Sequence, residues 1–197
     1  MNGIEVREAE ADEESAVADL LTLAFAGDPP TRYWWPAAPD YMHWWPRFLL
    51  AVGEPAFGYK TATVAVDPEG VICGAALWLA PGVELDWAAM DALDMPGTDE
   101  DEAISNELGQ AIAANHPHAP HWYLWLLGVD PRVRGRGVGS ALLSHTLARC
   151  DAEGATAYLE SSTPQNVPLY ERHGFEVSGL IRVRDIPPLT PMVRAPR

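Results

Sequence analysis

HWYLWLLGVDPRVRGRGVGSALL, residues 121–143, reads as an apolar strand, a short turn of arginine and glycine, and the first turns of a helix. From His121 to Val129 aromatic, leucine and valine residues dominate and no acid or lysine interrupts them, as expected of a strand buried on both faces of a sheet. Gly128 predicts a bulge or a close backbone approach near the strand's end. Gly135, Gly137 and Gly139 then alternate through the helix start and leave backbone amides unshielded. Such amides at a helix N-terminus are suited to a phosphate or pyrophosphate. Arg132, Arg134 and Arg136 stand in the same turn, three of 13 basic residues in a chain of formal net charge -15. So local an excess of positive charge points to an anionic ligand there.

The letters separate three anion-binding loops. A phosphate loop of the nucleotide-hydrolase kind ends in Gly-Lys-Ser/Thr, whereas this turn ends Val138-Gly139-Ser140. A dinucleotide fingerprint counted from Gly135 needs glycine where Ser140 stands, and counted from Gly137 it needs one where Leu142 stands. What remains is Arg-x-x-Gly-x-Gly, Arg134 to Gly139, after a strand ending in Val-Asp-Pro. A bland glycine turn between strand and helix is the competing reading.

A second segment, TAYLESSTPQNVPLYERHGFEVS at 156–178, reads as a strand, a helix carrying Asn166 and Tyr170, and a Gly174-Phe175 turn into another strand. Together the two motifs resemble the acyl-CoA site of the GCN5-related N-acetyltransferase (GNAT) superfamily, and within it the puromycin N-acetyltransferase-like members. Those share the Trp-Tyr/Phe-Leu start of the loop strand, Val-Asp/Ser-Pro after it, Leu-Glu-Ser/Thr-Ser in the next strand, and Asn-x-Pro-x-Tyr-Glu-Arg-x-Gly-Phe. The similarity is strong over 121–178 and thin elsewhere, and Arg134 stands where the puromycin enzyme has glutamine.

At 197 residues and 48% hydrophobic composition the chain is expected to form a single domain, residues 1–197, with a sizeable core. The N-terminal stretch MNGIEVREAEADEE has no apolar signal region, and no run approaches a membrane span. Cys73 and Cys150 lie far apart and read as buried, reduced thiols, so a cytoplasmic location is expected. The acidic balance argues against nucleic acid and membrane partners and for a cationic small molecule.

Ile4–Arg7 predicts a short strand, and Asp12 an N-cap for a helix with Val17, Leu20, Leu21 and Ala24 at helical spacing. In DPPTRYWWPAAPDYMHWWPRFLL, from Asp28, prolines predict short interrupted helices. Its Arg32, Tyr33, Trp34 and Trp35 are candidate substrate contacts, or else core. Thr61–Val66 and Val71–Ala80 predict a hairpin about Asp67-Pro68-Glu69-Gly70. Residues 81–120 predict an acidic insert with helices near 86–94 and 98–114. His116, His118 and His121 fall in a proline-broken run without helical ligand spacing, and no metal is expected. After the helix ending near Gly154 and a strand at 155–160, further strands are expected around 175–184 and 190–194.

The predicted fold class is α/β, an α+β mixed sheet with helices on both faces. The resemblance implies the acyl-CoA N-acyltransferase arrangement, in which two central strands splay apart to admit pantetheine. It further implies acetyl-CoA as co-substrate, with the pyrophosphate on Arg134, Gly135, Arg136, Gly137, Val138, Gly139 and Ser140. Leu127 and Val129 would bond pantetheine through their backbone, and Asn166 would touch the cofactor. Tyr170 is the candidate acid, since a phenol of pKa about 10 can protonate a thiolate. Glu160, ending a buried strand, is the candidate base, with a water relay as the alternative. The acceptor is read as a small-molecule primary amine, aminonucleoside or antibiotic-like. A protein N-terminal or lysine acetyltransferase and a non-catalytic acyl-CoA sensor are the other readings. A monomer or homodimer is expected.

Overall fold

The sheet is mixed because helices carry the chain across it twice in its second half, once to the neighbouring strand and once past a strand, while the earlier strands turn back on one another. The computed structural model describes residues 3–197. Strand β1 (Glu5–Glu8) leads through a 3-10 turn to helices α1 (Glu14–Ala24), α2 (Pro29–Trp34) and α3 (Ala38–Gly58). The hairpin β2 (Ala62–Val66) and β3 (Ile72–Leu79) follows, then the insert helices α4 (Trp87–Asp91) and α5 (Asp99–Asn115). Strand β4 (His121–Val129), helix α6 (Val138–Glu153) and strand β5 (Thr156–Ser161) form the crossover. Helix α7 (Val167–Arg172) and strands β6 (Glu176–Val177) and β7 (Thr190–Arg194) complete the chain. The order across the sheet is β1-β2-β3-β4-β5-β7-β6. Only β4 and β5 pair in parallel, since α6 carries the chain back between them.

Each face of the sheet buries its own apolar cluster. One holds Trp122, Leu124, Ala157 and Leu159 beneath Val138, Leu142, Leu143, Leu147 and Cys150 of α6. The other holds Val64, Leu77 and Leu126 beneath Val17 and Leu21 of α1 and Tyr41, Trp45 and Leu49 of α3. Both cysteines are free and buried, and burial pushes the Cys150 thiol up to about 12.

Three expectations from the sequence need correction. Asp12 does not cap α1: the chain enters through a 3-10 turn whose Glu13 carboxylate accepts the Glu10 amide at 2.8 Å. The prolines do not break residues 38–58 into pieces, because α3 runs through both Pro46 and Pro55. Tyr41, Trp45, Leu49, Val52 and Ala56 recur every three or four residues and are all buried, and that stripe outweighs the hydrogen bond each proline forgoes. The strand expected over 175–184 shrinks to Glu176–Val177 and one bridge, Ile181 to Leu189. Ile181, Val183 and Ile186 instead pack on Ile104 of α5 in a third apolar cluster with Tyr33 and Trp34. Beside them Arg184 bridges Glu107 and Glu100, which fastens the insert to the C-terminal loop.

Of the two readings of Gly128, a bulge or a close approach, β4 shows the second. Its bulge lies at Trp125, since Leu77 pairs with Leu126 while Trp78 pairs with Leu124. The extra residue reverses the alternation, so Leu124 faces the α6 cluster and Leu126 the α1 and α3 cluster. Gly128 marks the close approach that was the other reading of that glycine. A Cβ there would stand 2.6 Å from Leu21 Cδ2 and 2.9 Å from Ala24 Cβ.

Gly128→Ala is therefore expected to overpack the seam between α1 and β4 and cost about 1–3 kcal/mol. Gly109→Ala, on an open face of α5 with nothing within 4 Å, should stabilise by about 0.5–1 kcal/mol. Denaturant midpoints that move together rather than apart would contradict this packing. A pH effect follows from Arg194, which is 4% exposed and donates two 2.8 Å hydrogen bonds to Asp151. That guanidinium is the main cause holding the Asp151 carboxyl below its ordinary range. The resulting stability is present above the usual carboxylate range and is lost as pH falls through the depressed folded-state pKa. Asp151→Asn should lower the melting temperature at neutral pH and flatten its decline towards acid. Equal acid slopes in the two proteins would speak against the linkage.

Candidate active site

β4 and β5 pair from His121 and Thr156 as far as Leu124 and Leu159, and then part. Beyond that point β5 keeps only its partner β7, through Glu160 to Pro191 and Ser161 to Thr190. On the other lip the Asp130 amide donates to the Cys73 carbonyl. Strand alternation then turns the N–H and C=O of Gly128 towards β3, and those of Leu127 and Val129 into the gap. The side chains of Leu127 and Val129 meanwhile pack on the α6 cluster.

At one mouth of the gap stands the turn before α6. Gly135 and Gly137 adopt positive φ, 75° and 85°, where a side chain would be strained. No side chain caps α6, and its first internal bond runs from the Ala141 amide to the Gly137 carbonyl. The amides of Val138, Gly139 and Ser140 thus have no acceptor within the helix. The three arginines differ in their commitments. Arg132 is paired with the buried Asp130 at 2.6 Å, and Arg134 donates to the Ala24 carbonyl at the end of α1, 2.8 Å. Arg136 is exposed beside the turn. The Ser140 hydroxyl shares a 2.6 Å hydrogen bond with His173 Nε2. Burial first, and then Arg172, Arg194 and Arg197, lower the His173 pKa and favour the neutral ring.

Tyr170 and Glu160 stand on opposite faces of the sheet. Tyr170 belongs to the α6 cluster, buried edge-to-face against Phe175. Burial raises its phenol well above the ordinary value, and the charge of Asp28 adds to this. Asp28 caps α2 by accepting from the Thr31 amide and hydroxyl, and the Ser162 hydroxyl also donates to it. That last bond ties the loop between α1 and α2 to the end of β5. Asn166 sits exposed at the start of α7 with no capping bond from its side chain.

Glu160 follows Leu159 and so projects to the other face, where its Oε2 accepts from the Tyr123 hydroxyl at 2.8 Å. His116, just past the end of α5, brings Nε2 within 3.3 Å of Glu160 Oε1. Its ring lies against Tyr123 and Tyr158, and its Nδ1 is 3.0 Å from His121 Nε2. His121 Nδ1 in turn is 2.9 Å from the Ala119 carbonyl. The Tyr158 hydroxyl is buried without a hydrogen bond among the described residues. Sequence reading passed over His116, His121, Tyr123 and Tyr158 as site residues. The period-2 spacing of His121 with Tyr123 and of Tyr158 with Glu160 was a legible signal of shared faces. The arrival of His116 was not, because the docking of α5 decides it.

The four aromatic-segment candidates divide. Arg32 is bound to the Pro36 carbonyl and lies 4.9 Å over the Tyr41 ring. Trp35 packs against Trp45 and Phe48 in the second cluster. Tyr33 and Trp34 form an edge-to-face pair in the third cluster, beside α5 and the loop after β6.

Comparison with known proteins agrees with this geometry. The chain is 31% identical to the uncharacterized N-acetyltransferase C550.08 of Schizosaccharomyces pombe over 145 residues, 64% of this chain and 58% of that protein. It is 32% identical to the peptidyl-lysine N-acetyltransferase YjaB of Salmonella typhimurium over 96 residues, 44% of this chain and 65% of that one. The chain thus spans less than two thirds of either curated relative. Among solved structures, one described as histone acetyltransferase HPA2 and related acetyltransferase, from Corynebacterium glutamicum, superposes with a TM-score of 0.70 at 28% identity. It covers 99% of this chain and 97% of that one. The polyamine N-acetyltransferase of Drosophila melanogaster shares the fold, with a TM-score of 0.68 at 20% identity over 98% and 99% of the two chains. Residues 21–175, from the middle of α1 to the turn after α7, match the Acetyltransferase (GNAT) family, and the chain belongs to that family.

Proposed function

We propose that this chain acts as one N-acetyltransferase domain that moves an acetyl group directly from acetyl-CoA to the primary amine of a small molecule. The observation that carries the reading is the parting of β4 and β5 beyond Leu124 and Leu159. It leaves the Leu127 and Val129 backbone unpaired on one lip, and Tyr170 and Glu160 on opposite faces. In this reading the co-substrate supplies an acetyl thioester. The amides of Gly135 to Ser140, with Arg134 and Arg136, hold its diphosphate, and Leu127 and Val129 bond its pantetheine arm as an added strand. Asn166, exposed and with no capping bond from its side chain, touches the same ligand in this reading.

The Val129 amide, turned into the gap, stabilises the carbonyl oxygen as it gains charge. Tyr170 keeps its proton through the neutral and alkaline range because burial opposes the phenolate, so it can deliver that proton to the departing sulfur. Glu160 on the other face receives the acceptor's proton. Tyr33 and Trp34, an edge-to-face pair beside α5, are the aromatic contacts this reading gives to a flat or apolar amine, such as an aminonucleoside or antibiotic-like molecule. The net charge of -15 would draw a cationic acceptor in. Likeness to a peptidyl-lysine acetyltransferase favours a second reading, in which the amine is a lysine of a peptide. Buried free thiols accord with a cytoplasmic setting.

Thiol release from acetyl-CoA with spermidine, agmatine, tryptamine, puromycin or a lysine-containing peptide tests the proposal. One of the small amines should be turned over faster than the peptide. Tight acetyl-CoA binding with no turnover on any amine would favour a sensor. Tyr170→Phe should lower kcat by about 10²-fold with little change in acetyl-CoA affinity. A mutant of equal activity would remove Tyr170 from the chemistry. Gly137→Glu, which places a carboxylate among the turn amides at a positive φ, should abolish acetyl-CoA binding in calorimetry. Unchanged binding would show that the diphosphate lies elsewhere.

A further inference from the structure

We infer that His116 and Glu160 together form a vacancy for one proton, that this pair takes up the proton the acceptor amine must lose, and that His121 positions the imidazole. The inference rests on the acetyltransferase reading and adds to it the group that receives and exports that proton.

The tautomers follow from the hydrogen-bond chain. A carbonyl oxygen can only accept, so His121 Nδ1, 2.9 Å from the Ala119 carbonyl, carries a hydrogen. Burial, the largest influence on His121, lowers its pKa and favours the neutral ring, which makes Nε2 an acceptor. His116 Nδ1, 3.0 Å away, must then be the donor. The other nitrogen of His116 consequently bears a hydrogen only when the ring is cationic. It lies 3.3 Å from Glu160 Oε1, an atom that is buried and accepts no hydrogen bond among the described residues. Glu160 Oε2 is already occupied by the Tyr123 hydroxyl. Lone pair thus faces lone pair across a gap that a single proton closes.

The groups facing this gap are His121 and Tyr123 of β4 and Tyr158 of β5. Burial first, and Glu160 after it, hold both tyrosines well above the usual phenol range, so they remain neutral. Exposure gives the exit. The Glu160 side chain is 6% exposed and that of His116 is 24%, so the imidazole is the end nearer water. The insert has a use in this arrangement, because the end of α5 sets His116 over the carboxylate.

The ammonium gives one proton to the Glu160 and His116 pair, and the freed nitrogen lone pair forms the C–N bond to the acetyl carbon. The C–S bond breaks with its electron pair on sulfur, which takes the Tyr170 proton. The second proton of the nitrogen restores the phenol through water. Amide, thiol and one proton result, and that proton leaves through His116.

His116→Asn is the variant of choice, since its amide nitrogen can replace Nδ1 in the bond to His121 while nothing replaces Nε2. With the full chain, acetyl-CoA and the panel amine turned over fastest, kcat/KM should fall about 10²-fold and acetyl-CoA affinity should hold. The acidic limb of the pH–rate profile should shift, and added imidazole should restore part of the rate. Nitrogen-15 NMR of the imidazoles should show hydrogen on Nδ1 of both His116 and His121 at alkaline pH. A neutral His116 with hydrogen on Nε2, or an Asn variant with wild-type rate and profile, overturns this inference and leaves the acetyltransferase reading standing. Absence of turnover by the wild type with every amine sinks both.

Discussion

Two parallel strands that give up their pairing halfway along are the constraint on which the rest of the molecule depends. Backbone N–H and C=O groups left unpaired inside a protein are costly unless something else bonds them. β4 and β5 nevertheless separate after Leu124 and Leu159, with β3 secure on one side and β7 on the other. The opening passes through the sheet between two separate apolar clusters, one under α6 and one under α1 and α3. A ligand strand that restores the missing bonds is the physical complement of such a gap.

In the proposed reaction that opening also separates chemical duties. Tyr170 is buried on the α6 side near the start of that helix, where the uncapped amides of Val138 to Ser140 gather positive character. Glu160 stands on the reverse side under Tyr123, Tyr158 and the two histidines. A donor kept protonated by burial and a carboxylate with an adjoining imidazole are thereby held apart by the thickness of a strand. Asp28 links the two sides, since it raises the Tyr170 pKa while accepting from Ser162 at the end of β5.

The acidic insert is more than a solvated face. Arg184 clamps Glu100 and Glu107, and Ile104 buries against Ile181, Val183 and Ile186. This docking brings Tyr33 and Trp34 into one cluster with the insert and leaves His116 over Glu160. Beyond the Ile181 bridge the segment after β6 leaves the sheet, and its apolar side chains pack on α5 instead.

Much of this was legible from local pattern. The apolar run His121–Val129, the glycines at 135 and 137, and the stripe Leu143, Leu147 and Cys150 each report on their own backbone or face, and the structure places them as read. The seven-strand mixed sheet with helices on both faces was likewise implied by the alternation of elements and by the family resemblance. What the order of residues could not decide was any competition between distant partners. The bulge fell at Trp125 rather than Gly128 because the fit of β4 to β3 sets the register. Pro46 and Pro55 stayed inside α3 because its buried stripe outweighs two lost bonds. The sequence by itself therefore determined the strand, the glycine turn and the helix that follows, since these depend on neighbours within a few residues. Only the tertiary structure decided which imidazole meets Glu160 and how the arginines of the turn are committed, since those contacts close between residues far apart in the chain.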